Sequence, residues 1–148
     1  MPTVSLWFIR LGFVYLLLFW VAELGGFLLQ HFWELEWVWV TRAGRFHLFF
    51  VGWLTQLIFG VAHWMFPTKN RQELRGNESL VMASLVLLNV GLLLRLLAEP
   101  MQQVYPGTIW VLGLVLSATL QWLGMFLFTW NIWGRIKEKT KKKRGKGT

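Results

Sequence analysis

The chain has 148 residues, of which 55% are hydrophobic, with 11 Trp, 12 Phe and a mean hydropathy of +0.48. That is too apolar for a water-soluble domain of this size, and the apolar residues fall in blocks rather than spreading along the chain. The formal net charge is +8 and there is no cysteine, which excludes disulfides, thiolate metal centres, iron–sulfur clusters and haem attached through thioethers.

Four blocks reach the roughly 20 apolar residues that a helix needs to cross a bilayer: about 6–31, 47–66, 80–98 and 108–133. A spanning segment must satisfy its own backbone hydrogen bonds, so the predicted fold is all-α. The expected architecture is an integral membrane four-helix bundle, antiparallel and up-down-up-down. It forms one transmembrane domain, 1–135, followed by a basic tail, 136–148. No internal repeat and no second domain are visible.

The first block lacks the short apolar core and small-residue cleavage site of a signal peptide, and is read as a retained span. It carries Glu23 near its middle. A carboxylate at that depth is costly and counts as a functional candidate. It would be a proton-coupling site, a protonated hydrogen-bond donor, or the partner of Arg95. Gln56, Asn89 and Gln121 fall at a similar depth in the other spans, so a polar layer with one residue from each helix is expected to hydrogen-bond across the bundle. The first block ends at His31, and the segment WELEWVWV (33–40) that follows alternates aromatics with carboxylates, as suits the outer interface.

The second block runs from His47 to Pro67 and leads into a basic loop, 68–79, with Asn77 or Ser79 as the N-cap of the third. The third is expected to end at AEP (98–100). Within it Arg95 stands four residues before Glu99, which permits an i,i+4 ion pair. Alternatively Arg95 binds an anionic group such as a haem propionate. YPG (105–107) is a turn before the fourth block.

Lys and Arg concentrate in the 68–79 loop and the tail IKEKTKKKRGKGT, while 99–107 has neither. Both termini should therefore be cytoplasmic. Trp7, Trp64, Trp130 and Trp133 then form an inner aromatic belt, and Trp33, Trp37, Trp39 and Trp110 an outer one. The charge is that of a juxtamembrane tail attracted to anionic lipid, not of a nucleic-acid binder. The expected setting is a multi-pass protein of a bacterial cytoplasmic membrane, in contact with the bilayer and with other membrane subunits or further copies of itself.

Three histidines are present. On an ideal helix His47 and His63 lie about 24 Å apart and roughly 160° around the axis, so they cannot share a metal. His31 ends one span and His47 begins the next, which suggests a common depth and an axial pair around one b-type haem. Alternatively each ring simply occupies the polar interface. His63, one turn before Pro67, is read as an interfacial residue. No Ser–His–Asp set, phosphate loop or paired-carboxylate hydrolase site is legible, so no enzyme is expected.

His47 near the start of the second span, followed by Gly60 and Pro67, resembles the second helix of haem-copper oxidase subunit I. LLNVGLLLRLLAEP (87–100) and QWLGMFLFTWNIW (121–133) are similar to helices of small oxidase-like and nitric-oxide-response membrane proteins. The resemblance implies that His47 ligates a low-spin haem for electron transfer, sensing or support of a respiratory complex. The copper-site histidines of that family are missing, so oxygen or nitric oxide reduction by this chain is excluded. AELGGFLLQHF (22–32) resembles the first helix of small multidrug-resistance transporters, which implies that Glu23 binds protons and cations. The different-class alternative is an ancillary subunit without a cofactor, its polar layer serving only to join helices.

Overall fold

The computed structural model describes residues 1–33, 42–66, 77–133 and 135–136. Four helices account for nearly all of them: α1 (Thr3–Trp33), α2 (Arg42–Met65), α3 (Glu78–Val104) and α4 (Thr108–Trp133). Each is long and apolar enough to cross a membrane. At 1.5 Å per residue they measure about 36 to 46 Å, against a hydrocarbon core of about 30 Å. WELEWVWV beyond Trp33, the 67–76 segment and the tail from 137 lie outside the described residues.

Helix ends follow local chemistry. α2 stops at Met65 because Phe66 precedes a proline and is pushed to an extended conformation, with φ −69° and ψ 146°. Asn77 caps α3: its side chain accepts from Ser79 N at 2.9 Å, while its own N–H donates to Asn131 Oδ1 of α4 at 3.0 Å. Two expected boundaries are corrected. α2 begins at Arg42, not at 47, and α3 continues through Pro100 to Val104. Proline removes one intrahelical bond, yet membrane helices tolerate it where neighbours and small adjustments satisfy the freed carbonyl.

α3 and α4 form the most extensive pair. Ser84 Oγ donates to Gly124 O at 2.7 Å, and Ser117 Oγ donates to Gly91 O at the same 2.7 Å. The two helices thus present matching motifs, serine followed by glycine seven residues later, in opposite chain directions. A Cβ on Gly91 would lie 3.0 Å from Ser117 O, and one on Gly124 3.1 Å from Ser84 O, so the serine bonds require glycine opposite them. Small residues that let backbones approach are the usual device for holding helices together in lipid.

α2 is built differently. Its buried residues include Gly44, Leu48, Gly52, Gln56 and Gly60, a strict spacing of four. At 100° per residue such a row drifts by about 40° per step on an α-helix, or roughly 160° between the two ends. The stretch Leu48–Thr55 is instead π-helical, with i→i+5 bonding and more residues per turn, which keeps the row facing the bundle. Thr55 Oγ1 follows the same pattern, donating to Phe50 O at 2.8 Å.

The main apolar core lies at the end where α1 begins and α4 ends, here the lower end. It contains Val4, Phe8, Val81, Leu85, Leu88, Phe128 and Ile132. Phe59 stacks on Phe128 with ring centres 3.7 Å apart, and Phe8 meets both edge-on at 6.0 Å. The upper half has a smaller cluster, Tyr15, Leu48 and Leu92. Trp7, Trp64, Trp130 and Trp133 all lie exposed near the lower end.

Candidate functional site

Polar side chains gather at three levels. At the middle level, Asn89 of α3 joins three helices. Its Oδ1 accepts from Tyr15 Oη at 2.8 Å and from Gln56 Nε2 at 3.2 Å, and its Nδ2 donates to Leu85 O at 2.7 Å. Gln56 is fully buried. Gln121 is buried on the seam with α3, where its Nε2 donates to Ser117 Oγ at 3.0 Å. The predicted cross-helix layer therefore exists for Gln56 and Asn89, with Tyr15 as its α1 member, whereas Gln121 bonds to Ser117 of its own helix. Glu23 lies eight residues further along α1, about 12 Å toward the upper end.

At the upper level, Glu23 Oε1 is 2.5 Å from Arg45 Nε, an ion pair between α1 and the first turn of α2. Of the alternatives for Glu23, the pairing with Arg95 is not found: Arg95 takes the i,i+4 partner, its Nε 3.4 Å from Glu99 Oε2. The side chains of Glu23 and Glu99 are 42% and 12% exposed. That contrast ranks Glu23 as the accessible carboxylate. Beside it an open cleft of about 460 Å³ is lined by Phe19, Glu23, Arg42, Arg45 and Phe46.

The histidines are not brought together. The Glu23–Arg45 contact fixes the register of α1 against α2. From that level His31 lies eight residues upward and His47 two residues downward, an offset of about 15 Å along the axes. Tyr15 packing on Gly52, and Phe8 on Gly60, give the same register. The expected common depth is thus corrected, and His31 with His47 does not fit the axial pair of a single haem. His31 is exposed and stacks on Phe27, ring centres 5.6 Å apart. His47 Nδ1 lies 2.8 Å from Ala43 O. A carbonyl only accepts, so Nδ1 is the donor of this contact. Among the described residues no three His, Cys, Asp or Glu side chains converge as a metal site would require.

The lower level is built around His63. That histidine, read as an interfacial residue, is fully buried within the protein at this end. Arg135, just beyond α4 and only 4% exposed, folds back under α2. Its Nη1 lies 3.2 Å from His63 Nδ1, and its Nη2 donates to His63 O at 3.1 Å and to Phe66 O at 2.5 Å. A guanidinium only donates, so His63 Nδ1 is the acceptor. Arg135 serves as a C-terminal cap for α2 supplied by another helix, covering carbonyls that have no partner within their own helix.

No known protein family, curated protein or solved structure matches the chain. The resemblances rest on the sequence alone. Tyr15, Arg45 and Arg135 escape notice at that level for separate reasons. A tyrosine in an apolar block reads as one more aromatic, Arg45 reads as loop, and Arg135 reads as the last residue before a basic tail.

Proposed function

We propose that this is a small integral membrane protein that works as an ancillary subunit of a larger membrane complex, without a cofactor of its own. Its helices run up-down-up-down with the lower end, both termini and the 68–79 segment at the cytoplasmic face, as the Lys/Arg bias and the exposed lower tryptophans support. One observation carries the reading: Tyr15, Gln56, Asn89, Ser84, Ser117 and Gln121 bond helix to helix or to one another. Polar groups used in this way join helices and leave no polar pathway for a substrate. Glu23, the residue of the transporter reading, is committed to Arg45. In mild detergent the protein should migrate as part of an assembly well above its own 17.4 kDa; migration only as a monomer would overturn the proposal.

A second reading keeps the haem. It is favoured by the His47 Nδ1 contact with Ala43 O, since a ligating histidine usually donates its other ring N–H to a carbonyl or carboxylate. The second axial ligand would then come from a partner chain. Reduced-minus-oxidised optical spectra after haem-replete expression separate the readings. We expect no haem bands; bands that disappear in His47→Ala would favour the second.

A further inference from the structure

The upper cleft has features that joining helices does not require. Its described lining residues are graded along the helix axes. Phe19 lies four residues below Glu23 and Phe46 one residue below Arg45, whereas Arg42 lies three residues above Arg45. At 1.5 Å per residue the apolar wall therefore sits nearer the bilayer centre, and the outermost cation about 4.5 Å above Arg45. Phe19 continues sideways onto Phe49 at 5.0 Å and Phe46 onto Phe50 at 6.2 Å, which extends the wall along α2 toward lipid. Among the described residues, the cleft is lined by two guanidinium groups and one carboxylate. Glu23 offsets Arg45, and no carboxylate among the described residues pairs with exposed Arg42.

We propose that this cleft seats the phosphodiester of an anionic phospholipid on Arg42 and Arg45, with the first acyl methylenes along Phe19 and Phe46. The polarity gradient matches a lipid in its ordinary orientation, tail toward the bilayer centre and headgroup outward. The surplus of one cation among its described lining residues matches a singly charged phosphodiester. Guanidinium groups suit phosphate oxygens because their fixed fork of N–H donors engages them in pairs. Glu23 tunes the site: its charge offsets Arg45 and so limits how tightly an anion is retained.

The test is native mass spectrometry of the full-length protein released from detergent with phosphatidylglycerol or phosphatidylcholine. The wild type should retain one phosphatidylglycerol in preference to phosphatidylcholine. Arg42→Gln should weaken that retention about fivefold, the contribution of one cation near an anionic surface, and Arg42→Lys should weaken it less. Glu23→Gln should strengthen it severalfold, a gain that misfolding cannot produce. Neutralising Lys141, Lys142, Lys143 and Arg144 should leave the retained lipid in place. Unchanged retention in Arg42→Gln, weaker retention in Glu23→Gln, or loss of all preference in the tail variant would each overturn the proposal. Displacement by excess inorganic phosphate would identify a soluble anion as the occupant and overturn the lipid assignment.

Discussion

A Cβ on Gly52 would lie 2.8 Å from Tyr15 Cβ and Cγ and 3.1 Å from Leu92 Cδ2, whereas one on Gly26 would meet nothing within 4 Å. The two glycines should therefore respond oppositely to the same substitution. Gly52→Ala forces α1 and α3 away from α2 and should cost about 1–3 kcal/mol, typical of overpacking. Gly26→Ala should be neutral or stabilise by up to about 1 kcal/mol through helix propensity. Thermal unfolding in detergent distinguishes the two outcomes. Asn89→Leu removes the shared acceptor of Tyr15 and Gln56 and should cost about 1–2 kcal/mol, since interhelical bonds in membranes are individually modest. Equal stability of Asn89→Leu and the wild type would show that the layer contributes nothing. At this scale Gln56 and Asn89 are legible in the sequence because an amide inside an apolar block needs a partner. Glu23 is legible as costly, but its partner is not, because Arg45 lies in a stretch that reads as loop.

The helices differ in how openly the sequence declares them. Length and hydropathy identify all four, and Phe66–Pro67 and Asn77 mark two ends. Pro100 misleads, because a proline that would stop a helix in water is accommodated in a packed membrane bundle. The π-helical stretch of α2 leaves a trace that periodicity rules built on 3.6 residues pass over: the row Gly44, Leu48, Gly52, Gln56, Gly60 repeats every four. The depth of His31 fails for a related reason, since chain order shows that two ends are neighbours but not how far α1 runs past the start of α2. The absence of cysteine makes this register directly measurable. Glu23→Cys with Arg45→Cys should link through a short bifunctional thiol reagent, and His31→Cys with His47→Cys should not. The reverse result would restore the histidine pair. On the α3–α4 seam, Ser84→Ala and Ser117→Ala should cost similar amounts, on the order of 0.6 kcal/mol each; a strongly unequal pair would argue against the matched motifs.

For the molecule as a whole, the packing is uneven. The lower end is closed by interlocking aromatics and by Arg135, while the upper half relies on a smaller cluster and on ion pairs. Regions with fewer buried apolar contacts open more readily, so hydrogen exchange in α1 and α2 should be faster above Tyr15 than below it. Uniform protection along both helices would contradict this. Sidedness is tested by reporter fusions: a cytoplasm-active fluorescent protein should work after residue 136, and a periplasm-active phosphatase within 101–107. Arg135 also carries a consequence in time. It meets the end of α2 from 72 positions later in the chain. During synthesis the last carbonyls of α2 must wait until two further helices have been made and inserted. Closure of the lower end is thus a late event in biogenesis, and a chain interrupted before α4 lacks the side chain that covers those carbonyls.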